Sequence, residues 1–80
     1  MSYINQIVNV DAFYFSNCLG TTKSFPRQID LNNKKYTFSD GLQYLVKTGQ
    51  RVLRVFEMTD GERIFRLHLE NNRWTLVGTR

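Results

Sequence analysis

Hydrophobic and polar positions alternate most regularly in the last thirty residues, where runs rich in Val, Ile, Leu, Phe and Trp are separated by short turn signals. Runs over 51–58, 63–70 and 73–77 predict a three-stranded antiparallel meander bent at Asp60-Gly61 and Asn71-Asn72. Such pairs suit tight hairpins because positive φ is free for Gly and cheap for Asn or Asp. Two-residue loops set Thr59 opposite Glu62, Phe56 opposite Phe65, Leu69 opposite Trp74 and Leu67 opposite Leu76. Both loops then gather Val52, Phe56, Met58, Phe65, Leu67, Leu69, Trp74 and Leu76 on one face, with Arg54 and Arg63 the only charges among them. A slip of one residue would turn each set to the other side, so the agreement of the two turns carries the reading.

The opposite face is mixed. It holds Arg51, Leu53, Val55, Glu57, Ile64, Arg66, His68, Glu70, Arg73, Thr75 and Val77, with four aliphatics in its middle and charges toward its ends. Such a face calls for a cover: the chain's own beginning, a curling of the sheet into a small barrel, or a partner.

Upstream, 27–31 and 34–38 flank Asn32-Asn33, a further hairpin with Ile29 opposite Tyr36, and Leu31 and Phe38 on the same side. Pro26 suits the start of an edge strand, where no ladder bond is lost. Over 40–48, Leu42, Leu45 and Val46 form a helical stripe, Ser39 suits an N-cap, Asp40 the first turn and Gly49 the C-terminus. A short helix is predicted there, lying against the face of Phe56, Phe65, Leu67 and Trp74. In the first 25 residues Ile4, Ile7, Val8 and Phe15 partly suit a helix, whereas Val8, Val10, Ala12 and Tyr14 alternate as a strand does. The β-branched and aromatic content of 7–15 favours the strand, and 16–24 reads as a loop. The predicted fold class is α+β, mainly β: hairpin, short helix and three-stranded meander in one domain over 1–80, with an added N-terminal strand and a barrel-like curl as its variant.

From Phe25 to Val77, Pro26-Arg27 before an amphipathic hairpin, Tyr36 in its second strand, Leu42 and Leu45, and a meander ending in Trp74-Thr75-Leu76 make the chain resemble a small bacterial β-domain family of unknown function. The resemblance implies a fold and no activity, and it transfers no site residue.

Eighty residues, 41% hydrophobic and 22% charged, fit a single folded unit rather than a disordered segment. One cysteine, Cys18, allows no internal disulfide, and no apolar run of about 18 residues or signal-peptide order is present. A cytoplasmic protein without membrane contact is expected. The net charge of +4 favours acidic partners, yet the eleven Lys and Arg are scattered, as on an ordinary solvated surface.

Catalytic chemistry finds few parts. His68 stands beside Arg66, which disfavours its protonation, and Cys18 has no histidine near it in sequence. Asp40, Asp60 and Asp30 have structural roles as helix start, turn and hairpin surface, while Glu57, Glu62 and Glu70 can pair with arginines. One Cys and one distant His cannot supply a usual zinc set, and the glycines form no phosphate loop, so no metal or cofactor is expected. The expectation is a non-enzymatic binding module acting through Arg51, Leu53, Val55, Ile64, Arg66, His68, Arg73 and Val77, on an unknown protein partner or in a homodimer. The alternative is a nucleic-acid-binding domain whose Arg51, Arg66 and Arg73 contact phosphate, although its aromatics fall on the core side rather than on a stacking face.

Overall fold

The computed structural model describes residues 2–80, with Cys18 through its backbone only. It has seven strands and, among the described residues, no helix: β1 Ser2–Cys18, β2 Thr21–Leu31, β3 Lys34–Thr37, β4 Asp40–Thr48, β5 Arg51–Thr59, β6 Ile64–Glu70 and β7 Arg73–Thr79. All neighbours are antiparallel in the order β3-β2-β1-β7-β6-β5-β4. The α+β class is therefore corrected to all-β.

The predicted helix over 40–48 is strand β4, paired with β5 along its whole length from Asp40↔Thr59 to Thr48↔Arg51. A nine-residue helix carrying Gly41 is marginal alone, whereas the strand gains a full ladder. Gly41 also needs the flat backbone approach: a Cβ there would press on the Met58 sulfur and stand 2.9 Å from the Glu57 carbonyl oxygen. Ser39 caps nothing, since its hydroxyl donates to the Thr59 carbonyl at 3.3 Å.

The predicted loop over 16–24 is corrected as well. Leu19 and Gly20, at φ 53° and 79°, make a tight bend joining two long strands that pair to the very tip, Cys18↔Thr21. Asn32-Asn33 and Asn71-Asn72 bend as expected, all four at positive φ, with Ile29↔Tyr36 and Leu69↔Trp74 in register. The Asp60-Gly61 bend is wider than a two-residue loop. Thr59 pairs with Ile64, and the Asp60 carboxylate accepts the backbone N–H groups of Glu62 and Arg63 at 2.9 and 2.8 Å. This turn chemistry lengthens the loop by two residues. Phe56 consequently pairs with Leu67 and Met58 with Phe65. An even shift leaves the strand side chains on their expected faces, while Arg63, expected on the apolar face, falls in the loop.

The chain path forces the sheet to curl. β3 and β4 are its two edges, yet only Phe38 and Ser39 connect them. The Phe38 N–H donates to the Arg27 carbonyl at 2.7 Å, and the next residue's N–H donates to the Thr59 carbonyl at 2.8 Å. Opposite edges thus meet at one corner, producing a half-barrel. Pro26 lies within β2, beside the register shifts of β1 around Ala12, rather than at a strand start. A bulge tolerates a residue without an N–H.

Curling, not a helix, covers the apolar face. Val8, Phe25, Ile29 and Phe38 from β1 to the corner meet Phe56, Met58, Phe65, Leu67 and Leu76 from β5 to β7. Aromatic rings mark the crossing: Phe25 stands edge-on to Phe56 at 6.4 Å, and Phe38 and Tyr36 each lie 5.2 Å from Phe65.

Candidate functional site

The register defines the outer face by cross-strand rows. One row runs Ile7, Thr75, His68, Val55, Tyr44 from β1 to β4. The next runs Tyr3, Gly78, Arg66, Glu57, Leu42. The eight expected residues are among the outward positions of the meander, and the structure treats them unequally. Val55 is closed to solvent by its neighbours, while Leu53, Ile64 and Val77 are half-buried. Arg51, Leu53, His68, Arg73 and Val77 line a shallow depression of about 490 Å³ together with Asn5, Glu70, Asn71 and Thr75. Val55, Ile64 and Arg66 stand outside its lining.

Most charge on this face is spent internally. Arg51 grips Glu70 with two hydrogen bonds, Nε to Oε2 at 3.0 Å and Nη2 to Oε1 at 2.7 Å. That contact holds the Glu70 carboxyl below its ordinary range. Arg66 and Arg80 both reach the same Glu57 oxygen, at 3.1 and 3.3 Å. Among the described residues Arg73 alone of the three expected arginines has no ion pair. Burial first, and the Arg66 charge second, push the His68 imidazole below its ordinary value, while Glu70 pulls the other way. His68 is accordingly a neutral wall of the depression at pH 7.

Sequence reasoning missed the outer side of β4, since a helix was expected there. Leu42, Tyr44 and Val46 all point outward and are exposed. Their alternation, each followed by a residue of the other face, was the available signal.

The inner face divides into two ends. At the closed end Phe38, Met58 and Phe65 fill the corner. At the other end Leu45 and Val52 remain exposed, and Arg54 shares the row of Leu45 with Leu69 and Trp74, which are only half-covered. Here β3 no longer flanks β2, because its pairing stops at Gln28. The free part of β2 and the free edge of β4 face each other beyond the corner, where Gln43 Nε2 donates to the Ser24 carbonyl at 2.8 Å. The resulting cleft encloses about 590 Å³ and is lined by Thr22, Lys23 and Ser24, by Gln43, Tyr44 and Leu45, and by Arg54.

Among the described residues no three His, Cys, Asp or Glu gather as a metal set, and no helix is long and apolar enough to cross a membrane. The Cys18 side chain lies outside the described residues. No family model, no curated protein and no solved structure matches this chain, so the resemblance to a bacterial β-domain family gains no support from them.

Proposed function

We propose that the domain is a non-catalytic binding module that acts by protein contact, and that its outer face docks a second copy. One observation carries the reading. Leu42, Tyr44 and Val46 of β4, with Leu53 of β5 opposite Val46, leave an apolar strip on a face whose arginines are largely neutralised by Glu57 and Glu70. A patch that is apolar and internally charge-balanced can meet its own copy across a two-fold axis without like-charge repulsion. A strongly cationic patch could not. The same pairing of Arg51 and Arg66 weakens the nucleic-acid alternative, because those guanidinium groups are already committed to carboxylates.

Light scattering of the purified chain tests this proposal. A dimer is expected at micromolar concentration, and Leu42→Lys, at an exposed outward position, should return it to monomer without loss of fold. A wild-type chain that stays monomeric at millimolar concentration would remove the second copy as the occupant.

A further inference from the structure

The cleft between β2 and β4 is a second surface, which shares only Tyr44 with the outer apolar strip. We infer that it receives an extended acidic segment of another protein, added as a strand along the free edge of β4.

Backbone geometry comes first. β4 is nine residues long, has no proline, and pairs only with β5, so a full row of its N–H and C=O groups has no backbone partner. Sheets usually protect such an edge with charge, proline or brevity, and an unprotected one is a template for strand addition. β4 has only Asp40 at the corner and Lys47 near its far end. Across the cleft, β2 beyond Gln28 lacks a strand neighbour on the same side. The bridge from Gln43 to the Ser24 carbonyl shows that at this width a side chain, not a backbone, spans the walls. Beyond it β4 runs on from Tyr44 to Thr48, five residues that match a guest strand of about 17 Å.

Charge supplies the second, independent argument. Lys23 and Arg54 line the cleft, Lys47 shares the inner side of β4 with Leu45, and none of the three has an ion pair among the described residues. No carboxylate lines the cleft, and Asp40 at the corner accepts the Gly41 N–H. Elsewhere in this small chain Lys35, Arg51, Arg66 and Arg80 find carboxylates, whereas Arg27, Lys34, Arg63 and Arg73, like the cleft's cations, have no ion pair among the described residues. What marks the cleft is that Lys23 and Arg54 line one concave surface without an acidic neighbour. A guest alternating acidic and aliphatic residues would answer both features: its carboxylates reach Lys23, Lys47 and Arg54, and its aliphatics cover Leu45 or Tyr44. A cationic or polyproline segment would answer neither.

The probe is a fluorescein-labelled, end-capped heptapeptide alternating valine and glutamate, titrated by anisotropy at low and moderate salt. Saturable binding is expected, weakening as salt rises. Exchange of the β4 backbone amides should slow in the complex. Replacing the peptide's glutamates by lysines, N-methylating two adjacent central residues so that both strand edges lose a donor, or changing Arg54→Glu in the protein should each weaken binding at least about tenfold. Arg54→Glu lies at an exposed position, and an unchanged melting curve checks its fold. An N-methylated peptide that binds as well as the parent would overturn strand addition, and so would unaltered exchange in β4. Equal binding of the lysine peptide, or none of the parent at millimolar concentration, would overturn the acidic partner. Because the variants at Arg54 and Leu42 lie on opposite faces, dimerisation and peptide binding can fail separately.

Discussion

The two ends of the half-barrel are built from the same inner face of β4, β5 and β6, yet one is a filled core and the other an open mouth. At the closed end Phe38, Met58, Phe65 and Leu67 exclude water almost completely. At the open end the same inward row of β4 and β5 offers Leu45 and Arg54, both exposed. The difference lies in the path of the chain. Phe38 and Ser39 pin opposite sheet edges together at one corner. Nothing equivalent pins them at the other, where β1 and β2 run on as a two-stranded ribbon to Leu19-Gly20. Burial in a sheet therefore depends on closure as much as on alternation.

The largest expected effect contrasts the two ends directly. Phe65→Ala removes a ring packed against Tyr36 and Phe38 and should cost about 3–5 kcal/mol, enough to unfold much of an 80-residue domain. Leu45→Ala, on the same inner face at the open end, should stay within about 0.5 kcal/mol. Urea unfolding of the two variants measures the contrast. Equal losses would mean that the mouth is closed in solution.

A smaller effect tests the corner itself. Gly41 begins β4 just after the Phe38-Ser39 step, and its missing Cβ makes room for Met58 and the Glu57 carbonyl. Methionine can swing aside, but the carbonyl belongs to the neighbouring strand. Gly41→Ala should therefore cost roughly 1–3 kcal/mol through displacement of β4, seen as a melting temperature lower by about 4–8 °C for each kcal/mol. An unchanged melting curve would show that β4 is held loosely and that the corner does not set the curl.

The same contrast explains what could be read from the sequence. The meander was legible because β5, β6 and β7 bury one side along most of their length, so their alternation survives in the residues. The register error at Asp60-Gly61 did no harm to the faces, since the Asp60 side chain lengthened the loop by an even number of residues. β4 was read as a helix for a physical reason. Its outer Leu42 and Val46 and its inner Leu45 are all apolar, because the open end imposes no clean inside and outside, and together they mimic a helical stripe. The stretch from Ser16 to Ser24 looked like a loop for a related reason. In the ribbon beyond the barrel wall, Ser16, Asn17, Thr21, Thr22 and Lys23 are all exposed and carry no period at all. Of the eight residues expected on the outer face, pattern supplied their direction. It could not reveal that Val55 would be covered or that Arg51 and Arg66 would be tied to Glu70 and Glu57, because those facts depend on strand neighbours and twist.

The smallest effect asks whether the open end is unfinished packing or a surface kept open at a cost. Arg54 faces inward on β5, opposite Leu69 on one side and Leu45 on the other, with no carboxylate bonded to it among the described residues. A leucine would extend the apolar row from Trp74 and Leu69 toward Leu45, and would remove one of the unpaired cations near the cleft. Arg54→Leu should therefore leave the fold intact and raise stability, by roughly 0.5 kcal/mol because the site remains partly wet. The same change should weaken the valine–glutamate peptide about tenfold. Gain of stability with loss of binding is the pattern of a charge retained for a ligand. A loss of more than about 1 kcal/mol would instead make Arg54 a structural residue whose stem packs on the row, and the mouth would then be an ordinary frayed end of the sheet.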